Sequence, residues 1–307
     1  MPELIVLGDD DVRRWLSPQA AVAAAREALT AAYWGELAAP PRLHAQLGDL
    51  SLAFTAGGFP GGPLGFRVYG TWPGSSDQAV LVWDGSGRLA GVITGTELGA
   101  RRTGALGAVA ADLLAPPGEV TAAVLGSGAQ AWTQLWAATA VRQFRQVRVY
   151  SPTAGHAAAF AARAWAELGL PAAAVGAARE AVTGADFILV ATRAGQPVLE
   201  SGWISPGAHV TTVGPKTAAA HELPPALADR ADVIVSDSPA QAAAYGEPFF
   251  TSRPLAHLGA IAAGQASGRR RPDQLTLYCS TGLAGSEVVL AATLLEQARG
   301  AGAGHGE

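Results

Sequence analysis

The sequence predicts an α/β protein whose doubly wound parallel sheet is accompanied by a second, α+β domain. Beyond residue 118, short apolar runs alternate with alanine-rich helical segments, a pattern typical of a parallel sheet. Before residue 96, stretches rich in β-branched and aromatic residues alternate with turn residues, which predicts an antiparallel meander. The chain has 307 residues, and 49% of them are hydrophobic, which is sufficient for two domains with buried cores.

The N-terminal half is predicted to start with a helix. Ser17 and Pro18 are typical of an N-cap and a first helical residue, and Gly35 of a C-cap, so a helix of about four turns is expected to begin the chain. The strands of the meander are predicted at residues 50–55, 65–71, 78–83 and 88–93. A helix at 96–114 is expected to end at the Ala-Pro-Pro-Gly segment 115–118, which marks a domain boundary.

The second half is predicted to supply the strands of the parallel sheet. These are residues 120–125, 147–150, 187–190, 209–213 and 233–235, with a further strand at 275–278 and a final apolar helix at 286–299. The uncharged run 120–141 is long enough to cross a bilayer, but Gly126, Ser127 and Gly128 interrupt it. It is therefore predicted to form a strand, a turn and a helix, and no membrane association is expected.

The composition argues against several functional classes. The chain carries 21 Lys and Arg residues against 25 Asp and Glu residues, a net charge of −4, so nucleic acid is not expected as a partner. Cys279 is the only cysteine and can form no intramolecular disulfide, and the first residues lack the features of a secretory signal, so a cytoplasmic location is expected. No spacing among the His, Cys, Asp and Glu residues resembles a metal site.

A glycine-rich segment predicts a dinucleotide site. The run from Gly126 to Ala131, Gly-Ser-Gly-Ala-Gln-Ala, has the form G-x-G-x-x-A between a predicted strand and a predicted helix. Glycines allow the backbone to approach a pyrophosphate, and the helix N-terminus presents free N–H groups to it. The alternative is a tight turn without a ligand, but the matching context on both sides favours dinucleotide binding in a Rossmann-type domain.

The residues after the second strand favour NADP(H), while NAD(H) remains possible. NAD-binding sites usually have an acidic residue there, which binds the ribose 2′-hydroxyl. No carboxylate occurs between Val120 and Ala166, and the strand ends in Tyr-Ser-Pro-Thr, residues 150–153. The hydroxyls of Ser151 and Thr153 can donate to a 2′-phosphate, with His156 or Arg148 as possible cationic help.

The chain resembles the ornithine cyclodeaminase/mu-crystallin family over nearly its whole length. The motifs that carry the resemblance are Pro40-Pro41-Arg42, Gly65-Phe66-Arg67, Ala100-Arg101-Arg102-Thr103, Gly126-Ser127-Gly128-Ala129-Gln130-Ala131, Ala191-Thr192, Pro206-Gly207-Ala208-His209-Val210, Val213-Gly214, Glu222-Leu223, Gly246-Glu247 and Ser280-Thr281-Gly282-Leu283-Ala284. The resemblance implies a homodimer with a substrate-binding and dimerisation domain of residues 1–116 and 287–307, and an NAD(P)-binding domain of residues 117–286.

The resemblance also implies roles for individual residues. Arg42 and Arg102 match arginines that bind the substrate α-carboxylate, and Arg67 replaces a substrate-contacting lysine. Ser280 and Thr281 match a pair near the cofactor and the substrate. The implied cofactor-binding residues are Thr103, Gly126, Ser127, Gly128, Ala129, Gln130, Ser151, Pro152, Thr153, Thr192, Val213, Gly214 and Ser280.

Two further departures from the family pattern concern the segment after Val213-Gly214. The family's cyclodeaminases have a proton-transferring aspartate where this chain has Lys216, and a cofactor-contacting lysine where it has Ala220. Together with Arg67, Lys216 makes the predicted site more cationic, which disfavours a diamine substrate such as ornithine. Cyclodeamination is therefore the less favoured activity.

Lys216 is the only lysine of the chain and the main catalytic candidate, with Arg67 as the second. Burial and nearby arginines would lower the pKa of Lys216, and a lysine of this kind can protonate an imine or a carbonyl as hydride arrives. The alternative is a surface loop residue retained by chance. His221, five residues further on, is a weaker candidate acid, and Cys279 is expected to be a packed core residue.

Three functions are compatible with the sequence. The favoured one is an NAD(P)H-dependent oxidoreductase that reduces a small cyclic imino acid or an α-keto or α-imino acid. The second is an amino-acid cyclodeaminase that uses NAD as a catalytic cofactor and releases ammonia. The third is a non-enzymatic NADPH-dependent binding protein of the mu-crystallin kind.

Overall fold

The structure is a computed structural model that describes residues 4–75, 77–244, 247–249 and 254–301. Gly246 of the Gly246-Glu247 motif lies outside the described residues, as do residues 302–307 of the predicted substrate-binding domain. The chain forms two compact units. The first contains the described residues up to Arg102 and from Leu283 onward, and the second contains Thr103–Gly282.

Fourteen strands and ten α-helices make up the described part of the chain. In chain order they are β1 (Ile5–Leu7), α1 (Asp9–Trp15), α2 (Pro18–Trp34), β2 (Leu43–Leu47), β3 (Leu50–Gly58), β4 (Leu64–Gly70), β5 (Gln78–Trp83), β6 (Leu89–Thr94), α3 (Glu97–Leu114), β7 (Glu119–Leu125), α4 (Ala129–Ala138), β8 (Gln143–Tyr150), α5 (Ala154–Leu168), β9 (Ala172–Ala174), α6 (Ala178–Val182), β10 (Phe187–Val190), β11 (His209–Thr212), α7 (Pro225–Arg230), β12 (Val233–Ser236), α8 (Pro239–Ala244), β13 (Ala256–His257), α9 (Leu258–Ala262), β14 (Thr276–Cys279) and α10 (Ser286–Gly300).

The first unit contains a six-stranded sheet in the order β1-β6-β5-β4-β3-β2. Strands β2 to β6 pair antiparallel, as the predicted meander requires, and β1 pairs parallel with β6. The prediction that a helix begins the chain is wrong, because β1 and α1 precede α2. A strand of three residues carries almost no local signal, and it is defined here by its pairing with a distant part of the chain.

One face of this sheet carries exposed apolar side chains, and we call it the open face. The strand registers place its members on the same side: Leu43, Leu47, Leu50, Phe54, Leu64, Phe66 and Trp83. The four leucines are between 47% and 65% exposed. Helix α10 packs against β3 to β6 and against α2. Contiguous apolar surfaces of this kind mark interaction sites.

The second unit contains an eight-stranded parallel sheet in the order β13-β12-β14-β11-β10-β7-β8-β9. Alternate residues of β7 enter two different hydrophobic cores: Val120 and Val124 pack in one, and Ala123 and Leu125 in the other. Burial on both faces explains why the strands are continuous apolar runs, as the sequence indicated. The fold is the predicted α/β fold with a Rossmann-type parallel sheet.

Helix α3 packs in the second unit through two glycines. A Cβ atom at Gly104 would collide with the carbonyl group of Thr133, and one at Gly107 would collide with the side chain of Gln134. The Gln134 amide also donates to the Thr103 carbonyl at 2.9 Å. These contacts place the division between the units after Arg102, whereas the sequence placed the boundary at the proline-rich turn of residues 115–118.

None of the helices within the described ranges combines the length and the apolar character needed to cross a membrane. The same ranges contain no cluster of three or more His, Cys, Asp and Glu side chains suited to a metal ion.

A buried histidine lies in the second unit. The His209 ring is fully buried, lies 2.8 Å from the Thr276 hydroxyl and 3.2 Å from the Thr211 hydroxyl. Burial, followed by the positive charges of Arg269 and Arg142, lowers the pKa of His209 from 6.5 to about 3. The folded protein therefore holds this ring neutral.

We expect His209 to make the protein less stable in mild acid. The His209 ring takes up a proton near pH 6.5 in the unfolded chain and only near pH 3 in the folded chain. The contribution of this residue to the free energy of unfolding is therefore fully present above pH 6.5. It falls by about 1.4 kcal/mol for each pH unit below that value. His209→Gln keeps polar groups but cannot be protonated, so its urea midpoint should fall less steeply with pH, and the exposed His156→Gln should behave as wild type. An unchanged slope in His209→Gln would contradict this assignment.

Candidate active site

A cleft of about 1040 Å³ lies at the carboxyl ends of the strands in the second unit. Segments that follow β7, β8, β10 and β11 form its walls. Ligands of open parallel sheets bind at this edge. The predicted cofactor residues that line the cleft are Gly126, Ser127, Gly128, Ala129, Gln130, Ser151, Pro152, Thr192, Val213 and Gly214.

The glycine-rich loop is suited to a phosphate group. Gly126 has φ +109°, and a Cβ atom there would collide with the Ala191 carbonyl oxygen, so only glycine fits. Gly128 is the N-cap of the ten-residue helix α4 and supplies no side-chain acceptor, which leaves the first N–H groups of the helix available. The buried Gln130 Oε1 atom has no hydrogen-bond partner among the described residues. These features fit the pyrophosphate and amide groups of a dinucleotide.

The end of β8 supplies hydroxyl groups to the cleft instead of an acid. The Ser151 hydroxyl lies 3.3 Å from that of Ser127. No carboxylate is found among the described residues that line the cleft, whereas His156, Arg163 and Arg193 line it. The sequence showed no acidic residue at the end of this strand, and the structure shows none among the described residues of the cleft lining.

The basic residues near the end of β8 differ in whether they can contact a ligand in the cleft. Arg148, which the sequence offered as a cationic partner, donates instead to the carbonyls of Glu180 and Thr183, at 3.3 and 2.7 Å. Arg163 lies over the Trp132 ring, 3.7 Å from its centroid, and pairs with Glu167. Of the two residues named from the sequence, His156 lines the cleft and Arg148 does not.

Lys216 lies in a short turn that follows the cleft residues Val213 and Gly214. Its Nζ atom donates to the carbonyl oxygens of those two residues, at 3.1 and 2.5 Å. Burial lowers the pKa of Lys216, while the negative charges of the Glu222 and Asp237 carboxylates act in the opposite direction. An ammonium group has three donors, so two bonds to carbonyls leave one for a ligand.

The neighbouring strand end at β14 is held by Asp237. This carboxylate accepts from the backbone N–H groups of Thr281 and Gly282, at 2.8 and 2.9 Å, and from the Thr281 hydroxyl at 2.9 Å. The Ser280 N–H donates to the Thr212 carbonyl within the sheet. Ser280 and Thr281 therefore lie in a loop whose conformation is held by the Asp237 carboxylate and by the Thr212 carbonyl.

In the first unit, the three predicted substrate arginines are brought together. Arg42 and Arg67 lie over the Tyr69 ring, 5.8 and 4.5 Å from its centroid. Arg67 pairs with the Glu287 carboxylate at 3.3 Å, and Arg102 binds the same carboxylate oxygen. Glu287 was not recognised in the sequence as a site residue, because only the fold brings the final helix to the meander.

The arginine cluster retains unused donors. The positive charges of Arg102 and Arg67 hold the pKa of Glu287 below its usual value in spite of burial, so it is ionised. The buried Nε atoms of Arg67 and Arg102, the Thr55 hydroxyl and the Gln78 side-chain oxygen have no hydrogen-bond partner within the described residues. Unpaired buried donors of positive charge are suited to an anionic ligand such as a carboxylate.

Several predicted residues lie apart from these two groups. Thr103 and Thr153 are not among the residues that line the cleft. His221 is held by the Thr217 carbonyl at 3.1 Å and stacks on the Phe249 ring, 5.7 Å away. Cys279 is buried, and burial raises the pKa of its thiol to about 12, so it does not ionise near neutral pH.

The chain is similar to proteins of known class. Residues 66–302 match the ornithine cyclodeaminase/mu-crystallin family. The chain is 32% identical to ketimine reductase mu-crystallin of Mus musculus over 219 residues, which are 71% of this chain and 68% of that protein. It is 35% identical to L-lysine cyclodeaminase of Streptomyces rapamycinicus over 229 residues, 72% of this chain and 65% of that protein.

A solved structure resembles the whole chain. Thermococcus litoralis Δ1-pyrroline-2-carboxylate reductase, in complex with NADH and L-proline, superposes with a TM-score of 0.87 at 27% identity, covering 99% of this chain and 100% of the other. The first curated relatives are matched over 64% to 68% of their own length. The match over residues 66–302, with the glycine-rich loop, Arg67 and Arg102 inside it, assigns this chain to the ornithine cyclodeaminase/mu-crystallin family.

Proposed function

We propose that this protein is an NAD(P)H-dependent oxidoreductase that reduces a small cyclic imino acid, or an α-keto or α-imino acid. The observation that carries the proposal is the state of Lys216, a partly buried amine of lowered pKa that is anchored to the cleft residues Val213 and Gly214. Relatives named as a ketimine reductase and a Δ1-pyrroline-2-carboxylate reductase support the same class of reaction.

The residues divide the chemistry between them. When bound, the dinucleotide supplies the hydride. Arg42, Arg67 and Arg102 bind the substrate carboxylate, since planar guanidinium groups recognise it in a bidentate manner. Lys216 holds a proton at Nζ and gives it to the imine nitrogen or the carbonyl oxygen. Arginine cannot replace it, because a guanidinium group stays protonated.

We propose that NADPH is the preferred dinucleotide. The hydroxyl of Ser151 stands where NAD-binding sites have an acid, and His156 and Arg193 add donors of potential positive charge to a cleft without carboxylates among its described lining. A 2′-phosphate would therefore meet hydrogen-bond donors and no repulsion.

We propose that the protein is a homodimer that associates through the open face. Four leucines on this face are between 47% and 65% exposed, and the rings of Phe54, Phe66 and Trp83 form a row beside them, with centroids 6.3 and 5.9 Å apart. A second copy of the chain offers an equally apolar surface, which suits a symmetric interface.

We also propose a cytoplasmic location. The only cysteine is a buried free thiol, and a reductase that consumes a reduced dinucleotide needs the compartment that maintains it.

Replacement of Lys216 is expected to separate chemistry from cofactor binding. Wild type should oxidise NADPH in the presence of a cyclic imino acid without releasing ammonia, and its rate should fall as pH rises through the lowered pKa of Lys216, because reduction needs the protonated amine. Lys216→Ala should lose about 10²- to 10⁴-fold in kcat and keep its NADPH affinity.

The control for this experiment is His221→Ala, which should keep most of the rate. The substrate panel contains cyclic imino acids, keto acids with ammonium, and ornithine and lysine. Ammonia release from a diamine without net change of nicotinamide would identify a cyclodeaminase and contradict the proposal. Full activity in Lys216→Ala would contradict the role of this residue.

Introduction of an acid at Ser151 is expected to reverse the cofactor preference. In Ser151→Asp the carboxylate repels a 2′-phosphate and accepts from a 2′-hydroxyl, so NADPH should bind about tenfold more weakly and NADH more tightly. Ser151→Ala, which adds no charge, should weaken NADPH only slightly. An unchanged ratio of the two dissociation constants in Ser151→Asp would exclude this residue as the determinant.

Charge on the open face is expected to produce monomers. Phe66→Lys or Leu47→Lys would place an ammonium group in the apolar interface, and light scattering should then report the mass of one chain instead of two. Trp165→Lys, an exposed aromatic residue of the second unit, is the matched control and should remain dimeric. A wild-type protein that is monomeric at micromolar concentration would refute the proposed dimer.

A further inference from the structure

Glu222 is a fully buried carboxylate that accepts five hydrogen bonds. One oxygen receives the Thr192 N–H and the Thr192 hydroxyl, both at 2.8 Å. The other receives the Thr212 hydroxyl at 2.6 Å and the N–H groups of Val213 and Gly214 at 3.1 and 2.6 Å. Both oxygens are thus fully occupied by protein donors, so Glu222 is not available as a base.

These donors come from the ends of two adjacent strands. Thr192 lies just beyond β10, and Val213 and Gly214 follow β11, which pairs parallel with β10. All three residues line the cleft, on the opposite side of the glycine-rich loop from residues 150–152 in the strand order. Since the adenosine ribose is expected at residues 150–152 and the pyrophosphate at the loop, the nicotinamide is expected at the end that these three residues line. A single carboxylate therefore ties together two loops of the cleft wall.

Gly214 makes this approach possible. A Cβ atom at this position would collide with the Thr192 carbonyl oxygen and with the Glu222 carboxylate. Any side chain at 214 would push the two strand ends apart or expel Glu222. The glycine of the Val213-Gly214 motif is therefore required by packing around the carboxylate.

The same carboxylate is connected to Lys216 through one peptide group. The Val213 carbonyl, which accepts from Lys216 Nζ at 3.1 Å, and the Gly214 N–H, which donates to Glu222 at 2.6 Å, belong to a single peptide unit. A cation and an anion thus lie at opposite ends of this unit and fix its orientation. The Glu222 N–H also donates to the Pro215 carbonyl at 3.1 Å, which closes the turn that carries Lys216.

We propose that Glu222 is a positioning residue that shapes the nicotinamide end of the cleft and holds the Lys216 turn against it. It acts through Thr192, Val213 and Gly214 and does not touch the substrate. The part that concerns turnover rests on the proposed reductase function, whereas the part that concerns cofactor binding does not.

The test compares whole dinucleotides with their adenine halves. In Glu222→Gln the amide places N–H groups against backbone donors, so NADPH and NADH should bind about tenfold more weakly, while 2′,5′-ADP and 5′-AMP should bind as in wild type. The value of kcat should fall by about 10- to 100-fold, because a small misplacement of the reacting groups is costly. Gly214→Ala should reproduce both effects.

Asp186→Asn is the matched control. The Asp186 carboxylate also binds a strand N–H group, that of Thr121 at 2.8 Å, but it lies at the amino ends of the strands. This variant should lower stability and leave the dissociation constants of all four ligands unchanged. If Glu222→Gln fails to fold, Thr192→Val and Thr212→Val each remove one hydroxyl donor and should give a smaller loss with the same selectivity.

Equal weakening of dinucleotides and adenine halves, or no weakening of either, would overturn the proposal. The measurement of binding is independent of turnover. If wild type reduces no imino or keto acid, the proposed reductase function fails, and the ratio of dinucleotide to adenine-half affinity still decides the role of Glu222.

Discussion

At the carboxyl edge of the parallel sheet, buried backbone N–H groups need hydrogen-bond acceptors, and the structure of this edge depends on them. Where β10, β11 and β14 end, their following N–H groups face the protein interior, and two buried carboxylates accept from them, Glu222 and Asp237. An unpaired carboxylate at such depth would be strongly unfavourable, whereas one with several donors is stable and rigid. The loops that form the cleft wall are therefore held by carboxylates on their buried side. No carboxylate occurs among the described residues that line the cleft.

The first unit uses the same principle with the charges reversed. Arg102 is a buried cation and Arg67 a largely buried one, and the ionised Glu287 partly compensates them. Burial lowers the pKa of Arg67 in spite of this partner, although an arginine remains charged at any physiological pH. Since one acid is shared by two guanidinium groups, the pair keeps a positive charge, and the Nε atoms of Arg67 and Arg102 have no acceptor in the described part of the chain, which explains the suitability of the cluster for an anionic ligand.

Lys216 is unusual both in the composition of the chain and in its position in the structure. It is the only lysine among 21 cationic residues, and it lies beside the cleft where family cyclodeaminases have an acid. Its lowered pKa comes first from burial, and the acids nearby limit the shift. Its partial burial and its two bonds to carbonyls distinguish Lys216 from a solvated surface lysine and support the role proposed for it.

The sequence determined the α/β class, most strands of both sheets, the glycine-rich loop and the family, because each is encoded by local periodicity or a contiguous motif. It did not determine β1, β9 and β13, whose two or three residues form strands only by pairing with other parts of the chain, or β2, a largely exposed edge strand. It also named Arg67 and Arg102 without Glu287, and Glu222 only as part of a motif. The partners of these charges lie 220, 185 and up to 30 residues away in the chain, so only tertiary packing, which must compensate every buried charge, decided which residues meet.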